Sequence, residues 1–134
     1  MKPLFFLLTF VILISCGGGD DGAPLPPPSV NLDGTWSGTW LSSNGINTGQ
    51  LGLNLSQSGA SVTGTASFPG GTCFTGGNVS GTVSANNIKG GLVSAGNLRI
   101  EFGATVVSNT LNGDYNVIQG GACTGDTGTW KVTR

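Results

Sequence analysis

The sequence predicts an all-β domain over residues 31–134, an eight-stranded antiparallel up-and-down β-barrel with a two-sheet β-sandwich as the alternative. Three observations predict it. From Asn31 onward apolar residues alternate with a period of two in eight segments, and none of these has a 3.6-residue period. Turn-forming residues separate the segments at intervals of roughly 10–16 residues, which suits a meander of hairpins. The domain opens on Gly34-Thr35-Trp36 and closes on Gly128-Thr129-Trp130. Pairing of these two segments would close the sheet, remove its edges and bring both Trp rings to the same interior end.

The inward sets run in order along the chain. Trp36, Gly38 and Trp40 share a face, as do Leu51, Leu53 and Leu55. Val62, Gly64, Ala66 and Phe68 follow, then Val79, Gly81 and Val83, then Ile88, Gly90 and Leu92. Leu98, Ile100, Phe102, Ala104 and Val106 make the longest run. Leu111, Gly113, Tyr115 and Val117 come next, and Gly128, Trp130 and Val132 finish the domain. Ser58-Gly59, Pro69-Gly70-Gly71, Ala85-Asn86, Ala95-Gly96, Ser108-Asn109 and Gly120-Gly121 mark the turns. Three segments repeat one form, apolar-polar-Gly-polar-apolar: Val62 to Ala66, Val79 to Val83 and Leu111 to Tyr115. A Gly in the middle of an inward face marks a bend or a close approach, which a curled sheet uses.

Ahead of the domain lie two short regions. Residues 1–15 read as a signal peptide: Lys2 is basic, Leu4 to Ile14 is apolar apart from Thr9, and Ser15 is small. A spanning helix needs about 20 apolar residues, and this run has about 12. Leu13-Ile14-Ser15-Cys16 resembles the bacterial lipobox. The resemblance implies cleavage before Cys16, lipidation of its sulfur and acylation of its new amine, so that two or three chains anchor the protein to a membrane. Gly17 follows the cysteine where enteric bacteria place Asp for inner-membrane retention, so the resemblance favours the outer membrane of the cell envelope. Residues 16–30 then read as a Gly- and Pro-rich linker, flexible at first and extended over Pro26 to Pro28.

Composition excludes several functions. Only 8% of residues are charged, against roughly 25% in an average domain, and the net charge is −1. With no basic patch, nucleic acid is not an expected partner. The chain has 0 His, which removes the usual general base, the commonest metal ligand and every Ser-His-Asp or Cys-His system. Glu101, Asp114 and Asp33 have outward parity and form no pair. Asp126, in Gly125-Asp126-Thr127-Gly128, is one carboxylate and too few for Ca²⁺, so that string reads as a turn into the last strand. No catalytic, metal or cofactor residues are assigned, and an enzyme is not expected.

Cys73 and Cys123 sit in similar loops, Gly-Gly-Thr-Cys and Gly-Gly-Ala-Cys. Export into an oxidising compartment makes them a disulfide, worth roughly 4 kcal/mol for a closed loop of about 50 residues. The inward aromatics Trp36, Trp40, Phe68, Phe102, Tyr115 and Trp130 either fill the core or line an apolar pocket.

Gly34-Thr35-Trp36 also resembles the Gly-x-Trp opening of the calycin superfamily, which includes lipocalins and avidins. VTGTAS, LNGDYNV and the closing GTWKVTR extend the avidin likeness over most of the domain. The resemblance implies a barrel and, as in lipocalins, a basic residue near the chain end packed over that Trp; Arg134 and Lys131 are the candidates. The avidin pocket polar residues are not placed on this sequence by the likeness, so it supports the barrel shape and carries no ligand across. Two functions are expected to compete: a tethered barrel binding a small apolar ligand, and an interaction or structural envelope protein, for example a protease-inhibitor-like barrel.

Overall fold

The computed structural model describes residues 24–134. The expected signal peptide, Cys16 and the start of the linker lie outside them.

Eight strands follow one another: β1 (Gly34–Ser42), β2 (Thr48–Ser58), β3 (Ser61–Ser67), β4 (Gly76–Ser84), β5 (Asn87–Ala95), β6 (Leu98–Val107), β7 (Thr110–Gln119) and β8 (Thr127–Thr133). Each contains the segment expected from the period-two pattern, except that Phe68 falls just past the end of β3. They form a closed barrel in sequence order, every pair antiparallel, with β8 returning to β1. The sandwich alternative is not formed. Closure satisfies every strand on both sides, which suits a sheet whose exposed positions are mostly Ser, Thr and Asn with few charges. The core is one cluster of inward apolar side chains drawn from all eight strands.

Two expectations from the pattern change. In β5, Ile88 is inward, but Gly90 adopts φ +58° and the register slips by one residue against both neighbours. Gly91 and Val93 therefore face the core, and Leu92 turns outward and half-buried. This is a β-bulge, in which a left-handed Gly adds one residue to a strand and reverses the parity beyond it. The second change concerns the two Gly-Thr-Trp strings. They sit at opposite ends of the barrel. The closing strands of an eight-stranded meander run antiparallel, so the start of β1 faces the end of β8. Trp130 pairs with Trp40, not with Trp36.

The two ends of the barrel differ. The start of β1, the β2–β3, β4–β5 and β6–β7 turns and the end of β8 form a closed end. Leu32 plugs it, fully buried, its amide donating to Gln57 Oε1 at 2.9 Å. The Trp36 indole donates to the Leu32 carbonyl at 3.0 Å. Arg134 stacks 4.5 Å above the Trp36 ring and donates to the Asp33 carbonyl at 2.9 Å. Of the two basic residues considered for that position, Arg134 occupies it; Lys131 points outward from β8. The segment just before the domain is also docked here. Ser29 donates to the Ala85 carbonyl at 2.9 Å, Ala85 donates to Pro27 at 3.1 Å, and Val30 packs on the core. Pro27 to Val30, within the segment expected as linker, thus pack on the barrel end.

Candidate functional site

The opposite end is a mouth. It is framed by the β1–β2 loop at residues 43–47, the β3–β4 loop at 68–75, the β5–β6 turn and the β7–β8 loop at 120–126. A cavity of about 40 Å³ lies beneath it, with no polar atom in its wall. Each water-sized group needs about 10–15 Å³ by this measure, so the cavity holds on the order of three such groups. Below it the buried apolar side chains of the core cluster pack together.

Six aromatic rings line the cavity: Trp40, Phe68, Phe74, Phe102, Tyr115 and Trp130. Behind them are Leu51, Leu53, Ala66, Val93 and Ile100. Five of the six aromatics expected from the sequence are therefore brought together. Trp36 is not among them. It lies at the closed end with no exposure, and its ring is core packing beneath Arg134.

The register explains why the rings form a wall and do not fill the centre. Four of them stand directly across from a Gly on a neighbouring strand. The pairs are Trp40 with Gly49, Phe102 with Gly91, Trp130 with Gly113 and Tyr115 with Gly128. A methyl added at these glycines would come within 2.5–2.8 Å of the partner ring. Each ring lies flat over its Gly, using space that a side chain would take. The inward glycines that looked like points of curvature thus also hold the aromatic lining against the sheet. The rings meet edge to face: Trp40 with Tyr115 at 6.2 Å, Phe68 with Phe74 at 4.9 Å and Phe102 with Trp130 at 5.7 Å. Adjacent walls are nearly perpendicular, as the ring quadrupoles prefer.

Phe74 did not follow from the sequence, because it lies in a loop without periodicity. Its one signal was its place beside Cys73. Cys73 and Cys123 are disulfide-bonded, with 6.1 Å between their Cα atoms and 50 residues between them in sequence. The bond ties the β3–β4 loop to the β7–β8 loop across the mouth and carries Phe74 over the cavity.

A short polar chain also escaped the sequence. The Tyr115 hydroxyl donates to Asp126 Oδ2 at 2.9 Å, and the buried Ser42 hydroxyl donates to Asp126 Oδ1. These bonds join β1, β7 and the last loop behind the lining. Burial, then the hydrogen bond to Asp126 and its charge, holds the Tyr115 phenol well above its ordinary range. The phenol remains a donor throughout the ordinary pH range. Asp126 is the turn residue expected from Gly125 to Gly128, with a further use: its carboxylate fixes a cavity wall.

No protein-family model matches this chain, and no curated protein matches it.

Proposed function

We propose that the chain is an exported bacterial lipoprotein whose calycin-like barrel binds a small apolar group in its mouth. The anchor rests on Lys2, the apolar run and Leu13 to Cys16, and Gly17 favours the outer membrane. The packing of Arg134 on Trp36 supports the calycin likeness. The observation that carries the binding reading is the cavity itself, lined by six rings and free of polar atoms. Its size favours a ring, a methyl cluster or the end of a chain over a long lipid.

Export of a Cys16→Ser form followed by native mass spectrometry tests the binding. An added mass that disappears on denaturation supports a bound small molecule. A bare protein that also leaves lipophilic fluorescent probes unbound removes the reading. Labelling of cells with an alkyne-tagged fatty acid tests the anchor separately: the native chain takes the label and the Cys16→Ser form does not.

A second reading has one observation in its favour. Ile46, at the tip of the β1–β2 loop beside the mouth, is 82% exposed. A protein partner at that end would cover it, and crosslinking from residue 46 in cells would then yield a defined adduct.

A further inference from the structure

We propose that the mouth takes a small alkylammonium ion, an organic cation whose charge is wrapped in methyl or methylene groups. The inference rests on the mouth being a ligand site and names the class of ligand.

Four observations lead to it. First, no polar atom faces the cavity, so a ligand bearing hydroxyl or amide groups inside it would leave them unpaired. The occupant presents a hydrocarbon surface. Second, the walls are aromatic, and three edge-to-face pairs set their faces at steep angles to one another. Aromatic rings grouped around one cavity attract a cation through their quadrupoles where it meets their faces, Trp most strongly. Third, the one charged side chain in the mouth loops is a carboxylate, Asp126. Among the described residues, Lys89, Arg99, Glu101, Asp114 and Lys131 are exposed on the outer wall of the barrel, and Asp33 and Arg134 lie at the closed end. Of these, Arg99 lies nearest the mouth, one residue past the start of β6, but it is exposed and pairs with Glu101 at 3.7 Å, so no cation stands in the mouth loops themselves. Fourth, Asp126 accepts the Tyr115 hydroxyl. A phenol donating to a carboxylate has an electron-richer ring, so the acid acts on the cavity through a wall that lines it. The modest volume fits an ammonium with short alkyl groups and excludes a large ring system.

A neutral hydrocarbon is the competitor, and charge alone separates the two. The test is therefore a matched pair. The full chain in a maltoside detergent is titrated with choline and with 3,3-dimethylbutan-1-ol, in which carbon replaces the ammonium nitrogen, and Trp fluorescence and calorimetry follow binding. Choline is expected to bind about tenfold more tightly or better. Asp126→Asn is expected to lower that ratio severalfold, and Trp40→Leu, which keeps apolar volume and removes a ring face, to lower it further. Because the ratio is read within one variant, partial loss of folded protein does not distort it. Equal or tighter binding of the neutral alcohol overturns the charge assignment and leaves the apolar pocket standing. Binding of neither overturns both. Sedimentation of the Cys16→Ser form, which lacks the acyl anchor, with phosphatidylcholine vesicles but not phosphatidylglycerol vesicles would mark a lipid headgroup as the source of the ammonium. Choline binding without sedimentation would mark a free ion.

Discussion

At the residue scale, the site depends on side chains that are missing. Gly49 stands across from Trp40, and a methyl there would meet the indole first, 2.7 Å from its Nε1. Gly49→Ala should therefore swing Trp40 into the cavity without disturbing backbone. The expected results are a stability loss of about 1–3 kcal/mol from overpacking and a loss of probe binding larger than the stability loss explains. Paired denaturation and probe titrations check this; unchanged probe affinity would mean that the ring does not line the bound state. Tyr115 supplies a pH prediction. Its phenol is held above the unfolded value of about 10, so the unfolded chain releases that proton first as pH rises. The stabilisation is complete below pH 10 and falls above it, by up to about 1.4 kcal/mol per pH unit. Tyr115→Phe should remove that alkaline slope. Urea melts of both forms between pH 8 and 11 would show it as converging curves.

At the element scale, strands and loops divided sharply in how readable they were. All eight strands were visible because a one-sided sheet forces strict alternation, and a one-residue slip would expose a whole strand face. The parity failed only beyond Gly90, where a bulge inserts a residue. Nothing in Lys89-Gly90-Gly91 distinguishes a bulge from an inward Gly of the kind seen at Gly81. Loop residues carried no period, so Phe74 and the Ser42–Asp126–Tyr115 chain stayed hidden although five cavity rings did not. Their positions are fixed by the disulfide and by hydrogen bonds between distant segments. The disulfide is accordingly an element of the mouth. Replacing Cys73 and Cys123 with Ser should cost roughly 2–5 kcal/mol globally. It should also free Phe74, so that residual probe affinity falls even where the barrel remains fully folded. Affinity measured at low denaturant and temperature separates the two effects.

At the scale of the whole molecule, the barrel has a tight end and an adaptable one. Closure was legible from the matching first and last strings, but the antiparallel return of β8 sends their Trp rings to opposite ends. This asymmetry follows from chain direction, which composition does not reveal. At the tight end Leu32, Trp36 and Arg134 make a plug of apolar packing, an indole–carbonyl bond and a cation over a ring face. The mouth has loops, a cavity and one covalent tie. Stability should therefore grade along the barrel axis, since local opening follows packing and backbone hydrogen bonding. Amide hydrogen exchange should be slowest around Trp36, Val62, Leu111 and Val132, and fastest in residues 43–47 and 68–75. Leu32→Ala tests the plug directly. Removing a fully buried Leu side chain costs about 2–5 kcal/mol, and here the hole opens beside Trp36. Exchange at the closed end should then rise to match the mouth, with the Trp36 indole proton among the first to lose protection. Probe affinity at the mouth, measured where the variant remains folded, should hardly change, because the plug and the cavity share no wall residue. Equal loss at both ends would instead show the barrel to be one cooperative core, in which the mouth takes its shape from the plug.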